Sequence, residues 1–510
     1  MSGDLVLSVD LGTGGPKVGL VSADAKVVAF EHHAVTTHFG ADGAATQDAA
    51  EWWSIIVAAS RRLLAKADVD ARAVRAVAVT GQYASTVPVD ANGEPTGPCL
   101  TWLDTRGGPY VRRRLGGPAF GYNPRAVTRF VRISGGAPST AGADPIGQIL
   151  YLTNTDADLV ARTRWFMEPV DYLTMRLTGV ASATHASRLA AWLTDIRNLA
   201  RLEYDQGLAD LVGVDLAFLP PLATFGSIVG TVRPDVATDL GLGGGVAVIA
   251  GMPDLHAAAL GSGAVRPHET HLALSTTSWI SCPVATKKTD ALHSIATAPG
   301  LTNDSYLVID NQETGAKSLD WLRATLAGAG ASATYEDLTN LATSSPPGAN
   351  GATFAPWLAG ERSPVDDKRV RASFSGLSVT TTAADMTRAV LEGVAANSAW
   401  LLRYVEKFTG RRLEPLRLLG GGAQSSLWCQ IYADTLGRCV EQVPQPMLAQ
   451  LRGAATMASV ALGRMTLDDV AKNTPRGETY QPSADAVEVY RARRDDLRQL
   501  YRHERKWVRR

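Results

Sequence analysis

Short apolar runs broken by glycine-rich turns alternate along this chain with longer stretches whose apolar residues recur every three or four positions. The first run, Leu5, Val6, Leu7 and Val9, has the character of a buried strand and ends at Asp10. Gly12-Thr13-Gly14-Gly15 follows, then Pro16 and Lys17, and residues 18–21 read as a second strand. The pattern is strand, turn, strand. A dinucleotide fingerprint or a P-loop needs a helix after its glycines. Residues 27–35 read as a further strand. Residues 48–65 read as a helix, with Trp52, Ile55, Ile56, Ala59, Leu63 and Leu64 at helical spacing. Residues 74–79 form a strand that runs into Gly81-Gln82-Tyr83. Strand alternating with helix predicts an α/β fold.

Residues 107–144 are rich in Gly, Pro and Arg and are expected to be an insertion or cleft-lining loop. Helical patterns occupy 146–152 and 165–177, the second stopped by Gly179. Residues 246–250 are a strand leading through Gly251-Met252-Pro253 to Asp254. From about Gly261 the plan starts again: a strand at 270–274, a small-residue turn Ser275-Thr276-Thr277, and more strand. A long helix is expected over 385–408. A strand over 416–419 enters Gly420-Gly421-Gly422-Ala423-Gln424-Ser425, and a helix begins at Ser426. Residues 449–462 read as a small-residue helix able to pack closely on a sheet. The repeated plan predicts two domains, residues 1–260 and 261–510, of roughly 250 residues each.

Composition narrows the class. With 50 Lys+Arg against 50 Asp+Glu the net charge is zero, so no global field draws the chain to nucleic acid or an anionic membrane. The basic stretch 490–510 reads as a solvated terminal helix. No apolar run approaches the 18 or so residues of a membrane span. The four cysteines, Cys99, Cys282, Cys429 and Cys439, lack metal-ligand spacing and fit a reducing, cytoplasmic setting.

The chemistry-bearing residues cluster at strand ends. Glycines at 12, 14 and 15 let backbone N–H groups approach an anion; Thr13 would add a hydroxyl and Lys17 a charge. Asp10 is the kind of ligand Mg²⁺ takes. The same residues also suit a plain glycine-rich hairpin with a solvated lysine. Asp254 is either a general base or a helix N-cap. Gly421 and Gly422 lie between strand and helix, where a helix N-terminus can face an anion. Tyr83 is either a cleft residue or core. Trp102, Asp104 and Arg106 are either cleft residues or include a surface ion pair.

Taken together and in order, these segments resemble the FGGY family of carbohydrate kinases. Asp10-Leu11-Gly12-Thr13 with Lys17 is similar to its first phosphate motif, residues 354–364 (FAPWLAGERSP) to its second-domain segment, and residues 419–428 (LGGGAQSSLW) to its adenosine motif. The residues 102–106 and 361–364 resemble the xylulokinase-like members. The resemblance implies two actin-like, ribonuclease H-like domains around a cleft. It implies ATP with Mg²⁺, Asp254 as catalytic base and Asp10 as metal ligand. Thr13, Gly14, Gly15, Lys17, Thr276 and Thr277 would meet the phosphates. Gly315 (or Ala316), Gly421, Gly422 and Ser425 would meet the nucleotide. Gln82, Tyr83, Trp102, Asp104 and Arg106 would line the sugar side with Asp254. The expected reaction is phosphorylation of a terminal hydroxyl of a ketose such as D-xylulose; a kinase for another pentulose or polyol, or a weakly active sensor of the same fold, are the alternatives. The expected partners are a small sugar or polyol and a second copy of the chain as a homodimer. The chain departs from the xylulokinase pattern at Ala84, where a histidine is usual, at Leu255, where an asparagine is usual, and at Ser275, where a glycine is usual.

Overall fold

The computed structural model describes residues 4–67, 69–328, 330 and 332–508. Strands β1 (Leu5–Gly12), β2 (Gly15–Ser22) and β3 (Val27–His32) are antiparallel neighbours. On its other side β1 pairs in parallel with β4 (Val74–Gly81). The sheet is completed by β5 (Ile228–Thr231) and β6 (Ala247–Ile249) in the order β5-β6-β4-β1-β2-β3. A two-residue strand, β7 (Met252–Pro253), pairs with the far end of β4. Helix α1 (Ala49–Lys66) begins where Asp48 accepts a hydrogen bond from the Ala50 N–H (2.8 Å). It buries Trp52, Ile56, Ala59 and Leu63.

The second half repeats this plan. Strands β8 (Thr270–Leu274) and β9 (Ser278–Ser281) form a hairpin, and β8 pairs in parallel with β11 (Leu416–Leu419), after β10 (Tyr306–Ile309) has joined a separate small sheet. β12 (Val440–Gln442) and β13 (Thr479–Tyr480) finish the order β9-β8-β11-β12-β13. In each sheet a hairpin strand is flanked by a parallel strand, so the repeat legible in the sequence is a repeat of topology.

Two expectations fail locally. Residues 107–144 carry two helices in place of a continuous loop: α2 (Gly108–Leu115) and α3 (Pro124–Ser134) bury Val111, Leu115, Phe130 and Ile133. Two of the prolines that suggested a loop, Pro109 and Pro124, sit in a first helical turn, where a missing N–H costs nothing. Residues 165–177 are a strand, Trp165–Met167, then helix α4 (Pro169–Thr178), because Pro169 starts the helix and cannot continue a ladder. Gly179 closes α4 at φ 76° as expected.

The halves meet along two helices, α5 (Asp254–Ser262) and α8 (Ala449–Ala461), separated in the chain by α6 (Ala383–Thr409) and α7 (Ser426–Leu436). They run antiparallel: a Cβ on Gly261 would collide with the Ala449 carbonyl oxygen, and one on Gly453 with that of Ala257. Helix α8 lies against β1, β2 and β4 of the first sheet, while α5 touches β8 and β11 of the second. The Ser8 hydroxyl donates to the Leu451 carbonyl at 2.6 Å. The terminal helix α9 (Ala484–Trp507) buries Tyr490, Leu497 and Tyr501 and is docked on one face. No described helix is long and apolar enough to cross a membrane. Gly453→Ala forces a methyl against backbone. It should lower stability by about 1–3 kcal/mol, read as a lower urea midpoint with an unchanged slope; an unaltered midpoint would contradict the close crossing.

Candidate active site

The β1–β2 hairpin carries the first group of candidates. Asp10 and Lys17 are cross-strand partners, and Lys17 Nζ lies 2.8 Å from Asp10 Oδ2. The turn closes at Gly12 opposite Gly15. Gly15 has φ +127°, and a Cβ there would strike the His33 carbonyl, so only glycine fits. Gly14 is exposed with open space beside it, which leaves its backbone approachable. Thr13 differs from expectation. Its hydroxyl donates to Gln82 Oε1 (3.1 Å) and accepts from the Trp102 indole N–H (2.9 Å). A hydroxyl has one proton, and this one is directed to Gln82, so the other donors the turn offers are its backbone N–H groups.

The second group lies past the end of β4. Gly81 packs so close to Leu11 that a Cβ would hit its carbonyl. Gln82 is buried, with its N–H on the Leu11 carbonyl (2.8 Å). Tyr83 is partly exposed. Burial, and then the Asp254 carboxylate, push its phenol above the ordinary range, and Arg362 of the second half opposes them. Tyr83 therefore feels the charge of the base candidate and of Arg362 in the second half. Asp104 is completely buried. One oxygen accepts from the Ala45 N–H (3.0 Å) and both receive Arg106. It is neither a surface ion pair nor a free cleft carboxylate: it anchors Arg106, whose guanidinium lies 4.4 Å from the Tyr151 ring centre.

Asp254 is the first residue of α5, after the strand pair Met252–Pro253. Pro253, not Asp254, is the cap residue. Burial and then the charge of Asp10 push the Asp254 carboxyl up to about 7, against the pull of the Leu255 N–H and Lys17. Asp10, Lys17 and Asp254 thus share one electrostatic neighbourhood at the ends of adjoining strands. His256, two residues on, points the other way and bonds the Pro299 carbonyl (2.8 Å).

In the second half, Thr276 is exposed on the β8–β9 turn and Thr277 is partly buried. Gly315 packs on that turn: its N–H donates to the Thr276 carbonyl (2.9 Å), and a Cβ would lie 2.5 Å from the Thr277 carbonyl oxygen. The adjacent Ala316 N–H reaches the Ser275 carbonyl (2.7 Å). The glycine motif forms a short 3₁₀ turn, Gly421–Gln424, before α7. Gly421 faces open space, Gly422 backs on Leu274, and Ser425 caps α7 by accepting from the Trp428 N–H (3.2 Å).

Sequence reasoning missed two buried residues here. Gln47 bridges Gln82 (3.1 Å) and the Thr13 carbonyl (2.8 Å). Glu168 accepts from the Ser85 N–H (3.1 Å). Both stand next to helix starts, where polar residues are ordinary, so nothing in the pattern marked them.

Residues 5–261 match the N-terminal domain of the FGGY family of carbohydrate kinases, and residues 272–462 match its C-terminal domain. The chain belongs to that family, and is a two-domain carbohydrate kinase of the actin-like ATPase fold. It is 27% identical to a xylulose kinase of Staphylococcus epidermidis over 96% of this chain and 94% of that one. It is 30% identical to a xylulose kinase of Streptomyces rubiginosus over 95% and 93%. Among solved structures, a kinase from Brucella ovis titled a xyloylose kinase superposes with TM-score 0.86 at 23% identity, covering 99% of this chain and all of that one.

A base must be deprotonated to accept a proton. With Asp254 at about 7, kcat/KM should rise roughly tenfold per pH unit below that value and level above it. Folding responds with the opposite sign. The folded value lies above the unfolded 3.8, so this group's contribution to stability is full below about pH 4 and is lost as pH rises through about 7. Paired pH–rate and pH–stability profiles of the parent and Asp254→Asn check both: the variant should lose both responses.

Proposed function

We propose that this chain transfers the γ-phosphoryl group of ATP to a terminal hydroxyl of a ketopentose, with D-xylulose as the acceptor. The observation that carries the reading is Asp254: a desolvated carboxyl poised near neutral pH, beside the Asp10–Lys17 hairpin on one side and Tyr83 on the other. The names of the full-length relatives support the choice of acceptor.

In this reading Asp254 accepts the proton of the acceptor hydroxyl as its oxygen bonds to phosphorus and the bond to the ADP oxygen breaks. Lys17 and the backbone N–H groups at Thr13, Gly14 and Gly15 hold phosphate from the first half, and the turn at Thr276 and Thr277, braced by Gly315, does so from the second. Gly421, Gly422 and Ser425 flank the adenosine. Gln82, Tyr83, Trp102 and Arg106 form the sugar side, with Asp104 fixing Arg106. The donor set suits Mg²⁺: Asp10 is a buried carboxylate on the phosphate hairpin, the oxygen ligand this ion takes, and phosphate and water would complete its shell. Bound there, the ion would neutralise charge on the transferring phosphoryl group. The domain division at residues 260/261 and a cytoplasmic location belong to the same proposal.

A second acceptor class, another pentulose or a polyol, is favoured by one feature: Ala84, at φ +61°, and Leu255 offer neither imidazole nor amide to the sugar.

ADP release with Mg²⁺-ATP across pentuloses, hexuloses and polyols decides between them. D-Xylulose should give the largest kcat/KM. Asp254→Ala should lower turnover by about 10²–10⁴ with ATP affinity retained, and Lys17→Ala should raise the KM for ATP. Full turnover in Asp254→Ala would refute the base, and a parent that responds to no acceptor would refute the kinase reading.

A further inference from the structure

A chain of hydrogen bonds joins the sugar side of the site to the phosphate turn. Glu168 Oε2 accepts from the Ser85 N–H (3.1 Å), and Ser85 Oγ accepts from the Trp102 N–H (3.0 Å). The Trp102 indole N–H donates to Thr13 Oγ1 (2.9 Å), and that hydroxyl donates to Gln82 Oε1 (3.1 Å). Gln82 Nε2 donates to Gln47 Oε1 (3.1 Å) and Gln47 Nε2 to the Thr13 carbonyl (2.8 Å), which closes a ring around the turn.

Phosphoryl transfer has no direct use for Glu168, which is wholly buried and touches no open space. Burying a carboxyl is costly unless its bonds are needed. Its bond falls at a strained place. Ala84 has φ +61°, a left-handed conformation that is strained for a non-glycine residue. The peptide group that follows the strained residue is clamped at both its polar atoms: the Ala84 carbonyl accepts from Gln148 Nε2 (3.0 Å), and the Ser85 N–H is the one Glu168 takes. Tyr83 immediately precedes Ala84.

We propose that Glu168 is a positioning residue: through Ser85 and Trp102 it locks the loop bearing Tyr83 to the phosphate turn at Thr13, so that acceptor and transferring phosphate are aligned by one set of bonds. Loosening any link then weakens acceptor binding and lets water compete for the phosphoryl group. This rests on the kinase reading. Burial pushes the Glu168 carboxyl up to about 8 against the pull of the Arg188 charge, and a glutamine amide keeps an acceptor oxygen for the Ser85 N–H.

The experiment measures acceptor KM, acceptor-independent ADP release and, by calorimetry without acceptor, ATP affinity. The variants are Trp102→Phe, Glu168→Ala, Glu168→Gln and Thr13→Val, with Trp102→Phe/Thr13→Val as the double variant. Trp102→Phe keeps an aromatic ring and removes only the indole donor. It and Glu168→Ala should each raise acceptor KM and the ratio of acceptor-independent to acceptor-dependent ADP release by about three- to thirtyfold, and weaken ATP. Glu168→Gln should recover most of the loss. The double variant should be no worse than the poorer single one, because both remove the same bond. Parental KM, ratio and ATP affinity in folded Trp102→Phe would overturn the proposal, as would equal defects in Glu168→Gln and Glu168→Ala, or effects that multiply in the double variant. A parent that binds ATP but responds to no acceptor defeats the kinase reading; ATP affinity in the variants still decides the chain of bonds.

Discussion

Two helices that touch backbone to backbone hold this molecule together. At the crossing of α5 and α8 the residues are Gly261 and Gly453, and neither has room for a methyl group. Each helix also lies on the other half's sheet, so the halves are interlocked rather than merely adjacent. Asp254 is the first residue of α5. The base candidate is therefore carried on one of the two helices that join the domains.

The rest of the site follows from strand ends. Parallel pairing of β1 with β4 sets Asp10 beside Thr80, and β7 brings Met252 beside Thr80 in turn. Asp10, Lys17 and Asp254 thereby gather at one edge of one sheet, though they are far apart in the chain. Removing carboxylates from water raises the cost of their charge, and the nearby Lys17 offsets part of it. The result is a group near its half-ionised point at neutral pH, the condition general-base catalysis favours.

Much of this was legible in the sequence. The hairpin at the chain start, Asp254 after a strand, the stop at Gly179 and the glycine turn before α7 each rest on local chemistry that tertiary contacts did not override. Family resemblance supplied the roles. What the sequence hid was partnership. The partners of the Thr13 hydroxyl, Gln82 and Trp102, lie 69 and 89 positions along the chain and no local pattern announces them. Asp104 looked like a cleft residue, and Arg106 with the Ala45 N–H takes its oxygens. Proline and glycine between residues 107 and 144 look like a loop because they break a helix interior, whereas Pro109, Gly116, Pro124 and Gly135 mark helix starts and ends.

The glycine crossing has a geometric consequence. When two bodies turn about a shared axle, a point travels in proportion to its distance from that axle. The β1–β2 and β8–β9 turns stand at strand ends of the two sheets, whereas Asp254 is carried on one of the two crossing helices. Closure of the cleft about this crossing would sweep the turns toward each other and leave the carboxylate nearly still, a fixed post against which the moving parts are brought into register.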